Sequence, residues 1–402
     1  MNKDHIVIWI FGGKKMKKIL ALTLAIVLVL SLAACGTKTA TSATDTPAAT
    51  ESAAAETGLK IAIVTSPSGV DDGSFNQNNY EGVLSFIAAH PESTVTPIQE
   101  TDMANAVNAV ADIVADYDVI VVPGYQFGGI TTIAQENPDK YFILVDSYPS
   151  DPADSTGVAT IEVSNIYAMQ FAEQESGFFA GIAAAMETTT GKVAVVNGQA
   201  YPSNVNYQYG FEAGVKYANA KLGTKAECVE LATYSGTDVT GAVVGGNYIG
   251  SFNDPDTGKI VGAALIAEGV DILFVAAGNS GNGVFTAAKE ATGVKVIGCD
   301  VDQYDDGANG DTNVVLTSGL KNMAVNVERQ LNAILDGTFK GGNFTLYADT
   351  DSTGYVSAEG RQQCSEATLT ALAAAYEAVK AGTIVPPSNF SETTVDNFVG
   401  LE

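Results

Sequence analysis

Short apolar runs, most of them closed by a glycine, a proline or an acid, recur along the chain from Lys60 onward. Lys60-Ile61-Ala62-Ile63-Val64-Thr65 and the runs at 118–124 and 141–146 form one series. Those at 192–198, 271–278, 294–300 and 314–318 form a second. Between them, apolar positions return at helical spacing over 80–87, 104–114, 168–186, 205–221, 258–268 and 283–291. Buried runs alternating with helical stretches predict βαβ units and parallel sheets, an α/β fold. Two such series, separated near Asn165, predict two lobes. Ligands of such folds bind outside the carboxyl ends of the strands, here in a cleft between lobes.

By that rule the polar, glycine-bearing loop after the first strand is a ligand loop. It reads Val70-Asp71-Asp72-Gly73-Ser74-Phe75-Asn76-Gln77 and runs into a helical pattern. Phe75 is its one bulky residue, flanked by Ser74 and Asn76. Either it stacks on a planar ligand or it packs the start of the helix.

The same loop carries a resemblance, which continues through Gly210-Phe211-Glu212-Ala213-Gly214, Gly250-Ser251-Phe252-Asn253-Asp254, Gly281-Asn282-Gly283-Val284-Phe285, Gly298-Cys299-Asp300-Val301-Asp302 and Leu316-Thr317-Ser318-Gly319-Leu320-Lys321. In order and spacing these resemble the basic membrane protein family, lipoproteins similar to the purine nucleoside receptor A group. The resemblance implies a two-lobed, type I periplasmic-binding-protein-like fold, each lobe a parallel sheet flanked by helices. Three crossings are expected near 163–167, 300–304 and 347–354. Lobe 1 would then be 59–165 plus about 302–346, and lobe 2 would be 166–301 plus about 347–402.

What the resemblance implies for function is a substrate-binding protein of an ABC importer, not an enzyme, that holds a nucleoside, a purine one by preference. Phe75 and Phe252 would clamp the base, with Asn76 and the loop acid Asp71 nearby. Asp300 and Lys321 would take the sugar hydroxyls, Asp146 being a third candidate for the sugar or else a turn acid. Gly278 would offer backbone amides at the opening of a helix. Two departures bear on the ligand. Ser66 stands where many members have an acid for the base edge, and a serine lacks the acceptors of a carboxylate. Asn279-Ser280 replaces the usual Gly-Thr and would reshape the pocket around the sugar. Riboflavin or a sugar in the same fold is therefore the alternative ligand, and an extracellular nucleoside-acting hydrolase the alternative class.

The chain's other features narrow the setting. Lys17-Lys18, the apolar run 19–32 and Leu32-Ala33-Ala34-Cys35 form a signal peptide resembling a bacterial lipobox, with Cys35 as the lipidated residue. Met16 would be a normal start for it. Residues 36–56 lack any large apolar side chain and read as a tether. Without residues 1–34, which carry a net +4, the formal charge of −26 becomes about −30. Such a surface disfavours nucleic acid and anionic membrane, so the membrane is met through the lipid alone. The partners expected are a small-molecule ligand, a membrane permease and its ATPase, with the receptor a monomer. No cofactor is expected, since the Walker pattern is absent, Cys228, Cys299 and Cys364 lack metal spacing, and Asp300-x-Asp302-x-x-Asp305-Asp306 reads as an exposed acidic loop. His90, before Pro91, is not placed for catalysis.

Overall fold

Eleven of the twelve strands that build the two sheets run parallel to their neighbours, as the alternation of runs requires. The computed structural model describes residues 58–154, 159–389 and 391–402, and both sheets lie within one compact unit. The expected signal peptide, Cys35 and nearly all of the tether lie outside the described residues.

The first sheet contains β1 (Lys60–Thr65), β2 (Thr94–Gln99), β3 (Val119–Pro123), β4 (Tyr141–Val145) and β5 (Ile166–Phe171). A late strand joins it. The second contains β6 (Lys192–Asn197), β7 (Glu227–Cys228), β8 (Ile272–Ala276), β9 (Lys295–Asp300) and β10 (Val315–Lys321). The late strand of the first sheet is β11 (Gly342–Leu346), and β12 (Thr353–Tyr355) closes the second. Sheet orders are β11-β5-β4-β3-β1-β2 and β12-β10-β9-β8-β6-β7. Only β12 is antiparallel, against β10. Residues alternate between faces: Ile61 and Ile63 enter one apolar cluster and Ala62 and Val64 another. Helices α1 (Phe75–Ala89), α2 (Ala106–Ile113) and α3 (Thr131–Glu136) follow strands of the first sheet, and α4 (Glu173–Glu187), α5 (Pro202–Tyr217), α6 (Pro255–Ala267), α7 (Gly281–Glu290) and α8 (Met323–Leu335) come later in the chain. Both faces of each sheet are covered, which is why these strands read as unbroken apolar runs.

Strand pairing corrects two of the expected crossings. Residues 166–171 were expected in lobe 2 as the start of a long helix, but they form β5, paired with β4 and β11 in the first sheet. The chain crosses only at Ala172, where α4 (Glu173–Glu187) begins. An apolar run followed directly by an apolar helix has no period break to mark the join. The second crossing is not near 300–304 but after Lys321, where β10 hands over to α8 (Met323–Leu335), which packs on α1 (Phe75–Ala89) of lobe 1. The third lies between Leu346 and Thr353.

The first turn of α4 ties these crossings together. Ser176 Oγ donates to the Leu320 carbonyl (2.6 Å) and accepts from the Gly354 amide (3.2 Å). Glu175 accepts from the Ala348 amide (2.8 Å) and the Thr353 hydroxyl (2.5 Å).

Behind this hub, α4 lies directly on α5 (Pro202–Tyr217) through glycines at a spacing of four, Gly177 and Gly181 against Gly210 and Gly214. A Cβ at Gly181 would sit 2.1 Å from the Phe211 carbonyl oxygen, and one at Gly210 2.2 Å from that of Gln174. Only glycine permits this approach. Gly181→Ala is therefore expected to force the helices apart and to lower stability by about 1–3 kcal/mol, read as a drop in thermal midpoint. An unchanged midpoint would mean that the helices are not in backbone contact.

Candidate functional site

The carboxyl ends of both sheets face one cavity with an open mouth. Lobe 1 contributes Ser66 after β1, the loop entering α1, Met103, Pro123 to Gln126 after β3, and Asp146 after β4. Lobe 2 contributes Tyr201, Ser203, Asn204 and Tyr207 from the start of α5, then Phe252, Ala276, Gly278, Cys299, Asp300 and Lys321. Of the nine residues expected at a ligand, Ser66, Phe75, Asn76, Asp146, Phe252, Gly278, Asp300 and Lys321 line this cavity.

Asp71 does not. It is exposed, and Asp72 takes the inward place. The Asp72 carboxylate accepts from the amides of Ser74, Asn76 and Gln77, each at 3.0 Å, which satisfies the free donors of the first turn of α1. Capping geometry, invisible in a pair of adjacent acids, decides which one turns inward. The same turn fixes Asn76, whose Nδ2 donates to Ser66 Oγ (2.9 Å). Its Oδ1 is buried without a hydrogen-bond partner.

The polar floor is an ion cluster joining the lobes. Lys321, 2% exposed, donates to Asp146 Oδ2 at 2.6 Å and to Glu173 Oε1 at 3.3 Å. The expected couple of Asp300 with Lys321 is thus replaced by Asp146 with Lys321. Asp300 instead accepts from Ser74 Oγ of lobe 1 (3.0 Å) and from the Tyr207 hydroxyl (2.8 Å). Burial works against the Lys321 ammonium, but the carboxylates of Asp146, Glu173 and Asp300 outweigh it and hold its pKa above the ordinary lysine value. Burial pushes Asp146 up despite the lysine, and Glu173 up to about 7. Burial, reinforced by the Asp300 carboxylate, keeps Tyr207 protonated, so it is the donor.

Asp146 (φ 62°) and Asp300 (φ 68°) both hold left-handed backbone at the end of a strand. Asp351 is the only other non-glycine residue to do so among the described residues. Such strain persists where the surroundings require it, and here it turns each carboxylate into the cleft. Asp146 Oδ1 is buried without a partner, a second unfilled acceptor beside that of Asn76.

Four aromatic rings complete the walls. Lys321 Nζ lies 4.9 Å from the centre of the Phe75 ring, so this ring packs on the ion cluster as well as lining the cavity. The Phe252 ring rests where a Cβ on Gly198 would be, 2.2 Å from its Cδ1. Tyr201 lies 5.8 Å from Phe252 and 5.2 Å from Tyr125 of the opposite lobe. Among the described residues no ring contact joins Phe75 to Phe252. Asn279 and Ser280 do not line the cavity, contrary to expectation. Ser280 fastens the Phe252 loop through Ser251 O (2.9 Å) and the Asp254 amide (2.8 Å), and Asn279 bonds Asn253 (2.6 Å).

Among the described residues no group of three His, Cys, Asp or Glu side chains is arranged to hold a metal. In the acidic loop, Asp302 and Asp305 pair with Arg361. His90 ends α1 and bonds Asn332, far from the cavity lining. Burial pushes the Cys299 thiol well above its ordinary pKa, so it is no nucleophile.

Sequence reasoning missed Asp72, Tyr125, Tyr201, Tyr207 and Glu173. Pro202 directly after Tyr201 marks a helix start five residues beyond β6, and that signal was available. Nothing local marks Glu173.

A family model described as "ABC transporter substrate-binding protein PnrA-like" matches residues 59–234 and 240–362. The "ABC transporter nucleoside-binding protein BmpA" of Lactococcus lactis subsp. cremoris is 30% identical over 313 residues, covering 73% of this chain and 79% of its own. A "CD4+ T-cell-stimulating antigen" of Listeria innocua is 29% identical over 361 residues, covering 85% and 90%. A crystal structure of ABC transporter solute-binding proteins from Aeropyrum pernix K1 superposes with a TM-score of 0.68 at 22% identity, covering 84% of this chain and 95% of that one. That likeness carries the fold.

Proposed function

The chain belongs to the PnrA-like family of ABC transporter substrate-binding proteins, and from that premise we propose that its cleft captures a nucleoside, a purine one by preference. It is a binding protein and not an enzyme. The observation that carries the ligand reading is the pair of unfilled acceptors, Asp146 Oδ1 and Asn76 Oδ1, in an aromatic-walled cavity. A buried acceptor without a donor is unfavourable by about 1–3 kcal/mol, so each calls for a ligand hydrogen. Sugar hydroxyls meet Asp146 and Asp300, and an N–H of the base meets Asn76. Phe75, Phe252 and Tyr201 bound the flat ring. Cys35 carries lipid that holds the receptor on the extracytoplasmic face of the cell membrane, and the closed lobes present a surface to a permease. The receptor acts as a monomer.

Ser66 favours a second ligand class. Its hydroxyl oxygen accepts from Asn76, so at this position the base edge meets a hydroxyl and an amide in place of a carboxylate, which suits a flavin as well as a purine. A thermal-shift screen of residues 58–402 with nucleosides, free bases, riboflavin and simple sugars separates the two. A ligand present at a thousandfold excess over its Kd adds about 4 kcal/mol. Stabilisation by purine nucleosides and not by free bases supports the reading. Stabilisation by riboflavin or a sugar alone overturns it.

A further inference from the structure

We propose that Glu173 is a positioning residue for Lys321: in the closed cleft its carboxyl carries a proton, which leaves the lysine to Asp146 across the cleft, and losing that proton draws the lysine back and weakens capture of ligand. The inference rests on the reading of the cleft as the ligand site.

Geometry carries it. Glu173 opens α4 at the first crossing and Lys321 ends β10 at the second, so both belong to lobe 2, whereas Asp146 ends β4 in lobe 1. The pair Lys321 and Asp146 exists only when the lobes are together. Lys321 can meet Glu173 whether they are together or apart. An ionised Glu173 would compete for the ammonium on at least equal terms, yet the distances are 2.6 Å to Asp146 and 3.3 Å to Glu173. Short contact to a charged acceptor and longer contact to a neutral one is the expected difference.

Charge balance agrees. Asp146 and Asp300 already exceed the single positive charge of Lys321, and a third carboxylate charge in this buried site lacks a counter-ion. The N-terminus of α4 favours the ion. Burial opposes it more strongly and lifts Glu173 to about 7, with Lys321 lowering and Asp146 raising it. The groups facing Glu173 are Lys321 from β10, Asp146 from β4, Tyr148 beyond β4 and Tyr207 from α5, with Asn206 donating to Oε2 at 2.9 Å. Glu175, on its own helix, is turned to the third crossing.

The sign of the pH dependence follows. The folded carboxyl keeps its proton to about pH 7, where an unfolded glutamate releases it near 4.5. Its contribution to stability is complete below 4.5 and is lost as pH rises through 7.

The test compares the full chain with Glu173→Gln, Glu173→Met and Glu175→Gln between pH 5.5 and 8.5. In calorimetric titrations with adenosine, inosine and uridine, wild-type affinity should fall as pH rises toward 7, by at most about tenfold per pH unit, and level off above it, and binding should take up a proton on the falling limb. Glu173→Gln should keep the affinity that wild type has at pH 5.5 and lose the slope, as should Glu173→Met. Glu175→Gln should keep the slope. A Gln variant with the wild-type slope, or one that binds poorly at pH 5.5, overturns the proposal. If none of the three nucleosides binds, the ligand reading fails by itself and the unliganded proteins decide. The thermal midpoint of Glu173→Gln should then gain on wild type as pH rises from 5.5 to 8.5, and parallel curves would overturn the role of Glu173. Should neither Glu173 variant fold, wild-type protein alone decides: no proton taken up on binding overturns the proposal.

Discussion

Lys321→Met should lower the thermal midpoint at pH 7 by on the order of 10 °C and abolish ligand capture. Lys321 is fully buried, and the cation it supplies faces the carboxylates of Asp146, Glu173 and Asp300. A methionine fills the volume but leaves the charges of Asp146 and Asp300 without a counter-ion. Removing one partner of a buried pair destabilises by about 3–5 kcal/mol, far more than an exposed pair loses. The loss should shrink at low pH. Without the lysine, Asp146 and Glu173 hold their protons to higher pH, so the variant approaches wild type as the pH falls toward 5. A second substitution, Asp146→Asn, should recover part of the loss at pH 7, because it removes one of the stranded charges. Scanning calorimetry of the three proteins is the measurement. A Lys321→Met midpoint within 2 °C of wild type would show that the cluster is not organised around the lysine.

The reach of sequence reasoning is visible in the same cluster. Asp146, Asp300 and Lys321 each follow an apolar run, so their place at a cleft edge could be read from the chain. Their pairing could not. Which carboxylate takes the lysine depends on how two lobes meet, and the left-handed backbone of the two aspartates is set by that meeting. Phe75 and Phe252 were likewise placed at the cavity by their loops, whereas Tyr201 and Tyr207 stand on a helix whose start was read three residues late, at Val205 instead of Pro202. Asp71 and Asp72 differ only in which one caps α1. β2 went unread because Thr94-Val95-Thr96-Pro97-Ile98-Gln99 is an edge strand, half exposed and interrupted by a proline that only an edge tolerates. Glu173 was hidden most deeply. It follows β5 without a turn, inside what looked like one continuous helix, and its importance comes from the crossing that this reading misplaced.

Asp300→Gly should separate binding from stability. The aspartate occupies φ 68°, a conformation that glycine adopts without strain and alanine does not. Replacing it with glycine relieves the backbone but strands the buried Tyr207 hydroxyl and the Ser74 hydroxyl that it now accepts from. Relief of about 1 kcal/mol offsets part of the about 1–3 kcal/mol attached to an unsatisfied buried donor. The cluster also loses one of the carboxylates crowding a single ammonium. Asp300→Gly should therefore melt close to wild type, and Asp300→Ala, which keeps the strain, should melt lower. Binding should fall equally in both. Asp300 Oδ1 already accepts from the Tyr207 hydroxyl and the Cys299 thiol, whereas Oδ2 accepts only from Ser74 and retains a lone pair for a ligand hydroxyl. One hydrogen bond to a charged acceptor is worth about 1.5–3 kcal/mol, so affinity for the nucleoside that stabilises wild type should drop about 10- to 100-fold. Calorimetric titration of the two variants beside their melting curves checks this. If Asp300→Gly binds within tenfold of wild type, Asp300 is a strut between Ser74 and Tyr207, and the sugar hydroxyls are held by Asp146 alone.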